Sequence, residues 1–248
     1  MIVLETKKVT KAYGSLLAVS DVDCKIEAGK IHSIIGPNGA GKTTFFNLLA
    51  GSYPPTSGKI FFENQDITSL KMHKRSQLGI SRSYQVTSIF PDLTVRENVR
   101  LAIQSRTHHN LSFFRLTENL TDIIERADAI LEEMGLYSFA ENIASTIPYG
   151  SQRSLDVAIA MATEPRLLLL DEPTSGMTPD DTVKMMNLVE RISERFTIAL
   201  IEHHMSVVMS ISDVVTVLSQ GKVLAEDSPD EIQRNENVKM AYLGGGKV

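Results

Sequence analysis

The sequence is poor in cysteine: Cys24 stands alone among 248 residues, so no internal disulfide can form and a reducing compartment suits the chain. Cys24 lies in an alternating apolar stretch and reads as a small core residue. Long hydrophobic runs are missing too. Residues 167–170 and 198–201 fall far short of the roughly 20 apolar residues that cross a bilayer. The opening run Ile2, Val3, Leu4 meets Glu5, Lys7 and Lys8 at once, which leaves no hydrophobic region for a secretory signal. If such a chain works at a membrane, it must dock on a partner that spans it. Basic excess is absent: 25 Lys and Arg face 30 Asp and Glu, for a net charge of −5. Duplex-DNA binders show the opposite bias, so no nucleic-acid partner is expected. There is no internal repeat and no low-complexity tract.

What remains is an ordinary globular composition, 42% hydrophobic and 22% charged, long enough for one large α/β domain or a core with a subdomain. Residues 2–4, 17–22 and 24–26 predict strands, with turns at Tyr13-Gly14 and Ala28-Gly29. Residues 31–35 predict a short apolar strand, followed by a Gly-rich turn and a helix from Lys42 that stops at Gly51. Pro54-Pro55 and Gly58 mark a loop before a strand over 59–62. Helical spacing then dominates residues 86–162. Leu120, Ile123, Ile124, Ala127, Ile130, Leu131 and Met134 recur every three or four positions, and Gly135 ends the run. Residues 104–119 read as a loop or short insertion. Strands return at 167–170 and 197–201, and a hairpin at 214–218 and 222–225 turns through Ser219-Gln220-Gly221. Thr178-Pro179-Asp180-Asp181 and Ser228-Pro229-Asp230-Glu231 are two helix starts with the same grammar. Residues 244–248 read as a frayed tail.

Two motifs carry chemistry. Gly36-Pro37-Asn38-Gly39-Ala40-Gly41-Lys42-Thr43 fits G-x-x-x-x-G-K-[ST], set between an apolar strand and a helix. Its glycines let several backbone N–H groups converge on one anion, and the following helix adds its positive end. Lys42 would reach the β- and γ-phosphates, and the Thr43 hydroxyl would bind Mg²⁺. The second motif closes the strand over 167–170 with Asp171-Glu172. Asp171 suits Mg²⁺. Strand alternation turns Glu172 elsewhere, where it could orient and deprotonate water. A solvated pair of acids at a strand end is the plainer alternative.

With these motifs in this order, the chain resembles the ABC ATPase family over nearly its whole length. Tyr13 matches the aromatic that stacks on adenine in that family, and Ser83-Tyr84-Gln85 its Q-loop, whose Gln85 would touch Mg²⁺ and the water. Thr44 completes the nucleotide-binding set, Ser175 to Pro179 resemble the D-loop, and Ile201-Glu202-His203 the switch whose His meets the γ-phosphate. Tyr149, Gly150, Ser151 and Gln152 fall where the signature belongs, which in this family acts on the partner's ATP. His203 and His204 could pass for metal ligands, but neighbours on a strand face opposite ways.

The resemblance implies an α/β fold: a P-loop NTPase (RecA-like) core with an N-terminal antiparallel β subdomain (residues 1–85 and 163–227), an inserted helical subdomain (86–162), and a C-terminal helix and tail (228–248). It implies ATP and Mg²⁺ as cofactors, and catalysis by Lys42, Gln85, Glu172 and His203. It also implies a second ABC ATPase as partner, two transmembrane permease subunits and, indirectly, an external solute-binding protein. The location implied is the cytoplasmic face of the cell membrane, held peripherally. Leu17-Ala18-Val19, Thr94 to Asn98, Glu202 to Met205 and Ala241 to Gly244 look like the ATPases of branched-chain amino acid importers. Urea and amide importers have similar motors, and an exporter motor or a non-transport ABC ATPase is the remaining alternative. A P-loop GTPase or small kinase fits less well, for no Asn-Lys-x-Asp motif occurs. One departure stands out. Pro148 replaces the signature Ser, with neither hydroxyl nor N–H to offer. Either the site built on this signature is slow, in an asymmetric pair, or backbone and helix-dipole contacts suffice.

Overall fold

A computed structural model describes residues 1–83, 89–106 and 116–243. Its first sheet is antiparallel, in the order β2-β1-β4-β5. β1 (Ile2–Tyr13) and β2 (Leu16–Glu27) form one long hairpin, and β4 (Ser57–Phe62) and β5 (Gln65–Asp66) extend it. The three short strands expected over residues 2–26 are therefore two long ones. Charged positions interrupt the apolar pattern, yet the pairing runs on from Ile2↔Glu27 to Tyr13↔Leu16 through register shifts. Lys8 and Asp21 take positive φ at these irregularities, and side chains from the other strand hold their N–H groups: Asp23 accepts from Lys8 and Thr10 from Asp21.

The second sheet runs β10-β9-β3-β8-β7-β6. β3 (Ile31–Ile35), β6 (Ile80–Arg82), β7 (Leu167–Asp171), β8 (Thr197–Ile201) and β9 (Val214–Ser219) are parallel, and β10 (Lys222–Asp227) turns back on β9. Every residue of β3, β7 and β8 is buried, as helix-covered parallel strands require. The register aligns Ile34 with Ile201, and Ile201 with Asp171. Three neighbouring strands therefore release their C-terminal loops at one level of one edge, where open α/β sheets bind ligands.

α1 (Lys42–Ala50) follows β3 and ends at Gly51, whose positive φ caps it as expected. A second cap comes from α2 (Met72–Leu78). The buried Arg75 guanidinium donates to the Leu48 and Leu49 carbonyls at 2.6 and 2.8 Å, and to those of Leu70 and Thr68 at 3.0 and 3.2 Å. Burial lowers its pKa to about 10, so it stays charged at neutral pH. No local pattern in the sequence marks this residue.

α3 (Val95–Arg106), α4 (Leu116–Glu133) and α5 (Tyr149–Ala162) pack through Val99, Ile103, Ala127, Leu131, Leu155 and Ala158, in a core shared with Leu168 and Leu170 of β7. Both ends of the expected loop over 104–119 are helical, because the face made by Val95, Val99, Ala102 and Ile103 carries α3 to Arg106. Residues 107–115 lie outside the described residues. Thr178 and Ser228 cap α6 (Pro179–Ser193) and α8 (Pro229–Arg234) with their side chains, as the two helix starts predict. α7 (Met205–Ile211) and α9 (Glu236–Leu243) complete the chain; residues 244–248 lie outside the described residues. Among the described residues no helix is long and apolar enough to cross a membrane.

Cys24 is buried in the core, as expected. It ends a short polar chain: Cys24 Sγ lies 3.9 Å from His32 Nε2, which shares a 2.7 Å bond with Thr216, which donates to Glu226 at 2.6 Å.

Candidate nucleotide site

The turn between β3 and α1 holds the first motif. A cavity of about 560 Å³ opens over it, walled by residues 38–44, by Leu16, Leu17 and Ala18, by Gln220 and by Glu172. Two glycines are dictated by neighbours. A Cβ on Gly36 would stand 2.1 Å from the Leu218 carbonyl oxygen, and one on Gly41 2.2 Å from that of Ala18. The Ala40 carbonyl accepts from Gly221 N–H at 3.0 Å, so the β9–β10 turn also braces the cradle. Lys42 is nearly buried, and its ammonium folds back onto the Gly36 and Pro37 carbonyls at 2.7 and 3.1 Å. Burial lowers its pKa, against a smaller opposing pull from Glu172 and Asp171. Thr43 and Thr44 sit on the first turn of α1 and face the cavity.

Asp171 is the last residue of β7, and its carboxylate is buried in an ion pair with Arg82 at 2.6 Å. Arg82 also donates to Asn47 on α1 at 2.6 Å and lies over the Phe46 ring. The only sign of this contact in the sequence is a basic residue three positions before Gln85. Glu172 lies beyond the strand. Its φ of 48° is left-handed, so a break in backbone handedness, rather than the strand alternation expected from the sequence, sets its direction. Its N–H donates to Ile201 O at 2.9 Å, tying it to the end of β8.

The histidines depart from the strand alternation expected of them. His203 and His204 do not face opposite ways. β8 stops at Ile201, both residues lie in the connection to α7, and their ring centroids lie 4.0 Å apart with the planes tilted by 39°. Each Nδ1 lies within 4 Å of Glu202 Oε2, at 3.9 and 3.7 Å. Glu202 is fully buried and accepts from Thr174 N–H and hydroxyl at 3.1 and 2.6 Å and from His203 N–H at 3.2 Å. The connection after β7 is thereby joined to the one after β8.

Residues 19–175 match the family model described as ABC transporter, and residues 222–248 match that of the branched-chain amino acid ATP-binding cassette transporter. The chain belongs to the ABC transporter ATP-binding family. It is 41% identical to the high-affinity branched-chain amino acid transport ATP-binding protein BraF of Pseudomonas aeruginosa, over 98% of each chain. The ADP conformation of an ATP-binding cassette of an ABC transporter superposes with a TM-score of 0.85 at 26% identity, over 98% of this chain and 99% of that one. A dimeric cassette in a post-hydrolysis state with ADP and Pi gives 0.79 at 26% identity, over 91% and 98%.

Other expected parts of the cassette lie around this centre. Tyr13, at the end of β1, is half exposed. It meets Tyr53 edge-on at 6.1 Å, with the Lys11 ammonium 5.4 Å from its ring centroid. Desolvation and Tyr53 push its hydroxyl pKa up to about 12. The cavity wall beside the cradle comes from Leu16, Leu17 and Ala18, whose part the sequence reading did not foresee. Tyr84 and Gln85 lie outside the described residues; Ser83, just before them, is buried and donates its N–H to Leu169 O at 2.9 Å. The stretch from Tyr149 to Gln152 opens α5, with Pro148 as its N-cap. It does not wall the cavity. Tyr149 donates to the Ser175 carbonyl at 3.2 Å, Gly150 and Ser151 face Asp181 and Lys184 across a groove, and Gln152 folds back to the Ile147 carbonyl at 2.9 Å.

Proposed function

We propose that this chain is the ATP-hydrolysing motor of an importer of branched-chain or related amino acids. It would lie peripherally on the inner face of the cell membrane, with a second ABC ATPase, two membrane-spanning permease subunits and an external solute-binding protein. The observation that carries the reading is convergence. β3, β8 and β7 are neighbours in register and deliver the cradle, the His203 segment and Asp171-Glu172 to one edge. The amino acid class rests on likeness to BraF and on the match at residues 222–248.

In this reading the N–H groups of the turn from Gly36 to Thr44 and the α1 dipole cradle the phosphates of ATP, while Lys42 swings from its loop carbonyls to the β- and γ-phosphates. Tyr13 stacks on adenine. Thr43 and Asp171, with Gln85, would hold Mg²⁺; hydroxyl and carboxylate are the hard oxygen donors that this ion selects. Mg²⁺, when bound, offsets negative charge on the phosphate oxygens. Glu172 orients a water and takes its proton as the oxygen attacks the γ-phosphorus and the bond to the β-phosphate oxygen breaks. His203 contacts the γ-phosphate. Tyr149, Gly150, Ser151 and Gln152 clamp the partner's ATP, using the N-terminal N–H groups of α5 in place of a serine hydroxyl at position 148. ATP binds the closed pair better than the open one and so drives closure. The helical arm, residues 86–162, passes that motion to the permeases.

The deciding experiment is the molar mass of Glu172→Gln with and without Mg-ATP. An ATP-dependent dimer is expected if the Pro148 signature clamps nucleotide. A monomer that binds ATP means that a second ATPase with its own signature is required. Failure to bind ATP, or hydrolysis by Glu172→Gln at the parental rate, sinks the proposal.

A further inference from the structure

A second basic contact reaches the acidic pair. Arg153 lies one turn into α5, its side chain is buried, and its guanidinium Nη2 donates to the backbone carbonyl of Glu172. That carbonyl also accepts from Ser175 N–H at 3.0 Å, while Glu172 N–H is fixed on Ile201 O. Both peptide groups of a residue with a sparsely populated backbone conformation are therefore anchored, one by β8 and one by the helix that carries the signature. The same helix makes a second contact with this segment, from Tyr149 hydroxyl to Ser175 carbonyl at 3.2 Å. Gly176 lets the Tyr149 ring close in; a Cβ there would stand 3.3 Å from it.

We infer that Arg153 is a positioning residue that ties this chain's signature helix to its own Glu172. The inference rests on the reading of Glu172 as the base. Its consequence is a route between the two ATP sites of a pair. A phosphate docking on the N-terminus of α5 belongs to the partner's nucleotide, and any shift of α5 reaches Glu172 through one buried guanidinium. The partner's ATP would thus report its presence to the base acting on this chain's ATP. The contact is made by a side chain to a backbone carbonyl, so it places Glu172 whatever the protonation state of its carboxyl.

The test compares Arg153→Gln and Arg153→Lys in the full chain, alone and combined with Glu172→Gln, with the ATPase partner present if the molar-mass experiment calls for one. In Arg153→Gln the Ser175 amide is expected to exchange hydrogen about tenfold faster, while amides of β3 and α1 keep parental rates. Turnover is expected to fall about tenfold with the KM for ATP unchanged, since positioning and not binding is lost. Arg153→Lys keeps a donor and should recover part of both. Adding Arg153→Gln to Glu172→Gln should cost nothing further, because the group being positioned is already gone. Unchanged Ser175 exchange, or losses that multiply in the double variant, overturn the inference. If Glu172→Gln leaves turnover intact, the base assignment fails instead, and the exchange result still decides the tie. Should Arg153→Gln not fold, the same exchange and turnover measurements on Arg153→Lys decide it.

Discussion

The cradle and the turn into α5 each place a glycine at a helix N-terminus, Gly41 as the N-cap of α1 and Gly150 in the first turn of α5, but they are held in different ways. Around the cradle, the space beside Gly36 and Gly41 is filled by the backbone of other strands, at 2.1 and 2.2 Å from a notional Cβ. Around the signature, Gly150 faces the Asp181 side chain at 3.1 Å and Gly176 faces the Tyr149 ring at 3.3 Å. Backbone cannot yield without moving a sheet, whereas a surface side chain can rotate. One end is fixed by backbone; the other is bounded by side chains that can adjust.

The largest expected effect tests that contrast directly. Gly36→Ala or Gly41→Ala should abolish ATP binding or cost several kcal/mol of stability, whereas Gly150→Ala should cost under about 1 kcal/mol in the isolated chain. Denaturant melts and nucleotide titrations of the three variants check it, and equal losses would erase the distinction. Next comes the support beneath the cradle. Arg75→Leu leaves four carbonyls without their charged donor and is expected to cost about 3 kcal/mol, with weakened ATP binding as α1 frays. A melt within 1 °C of the parent would show that Gly51 caps α1 unaided.

A smaller effect appears in acid. Desolvation holds the His32 imidazole at about 4, below the ordinary 6.5. The unfolded chain therefore takes up this proton first. The stability contributed by the neutral ring is complete above about pH 6.5 and is lost as pH falls toward 4, by up to about 1.4 kcal/mol per pH unit. His32→Gln should flatten the stability profile in that window, and an unchanged slope would assign acid sensitivity to other groups. The smallest effect is expected from Tyr149→Phe, which removes one exposed hydrogen bond at 3.2 Å. About 0.5 kcal/mol of stability should be lost, with ATP affinity at the cradle intact.

Legibility in the sequence follows the same division. The strand–turn–helix of the cradle, both proline-led helix starts and the hairpin through Gln220-Gly221 were readable because local chemistry alone decides them. Contacts between distant elements were not. Arg75, Arg82 and Arg153 look like surface arginines in the sequence. Only the tertiary fold buries them, against helix-end carbonyls, a carboxylate and a loop carbonyl. Strand alternation fails for the histidine pair because β8 ends at Ile201, before either residue. Strand alternation also fails to explain the direction of Glu172, since a left-handed backbone cannot be read from an acid followed by proline.

The folded-back ammonium of Lys42 carries one more consequence. Its dehydration takes place when the chain folds, not when nucleotide arrives, and the two loop carbonyls it holds are a temporary address. In the proposed site, ATP entry is an exchange of oxygen partners around a cation that is already largely desolvated, so the ligand avoids much of the desolvation that an exposed lysine would demand. The burden falls on the apo fold, which keeps a charge indoors for a visitor's sake. Lys42→Met should therefore change the melting temperature little, since losing the buried charge offsets losing its two carbonyl bonds, while ATP binding is lost.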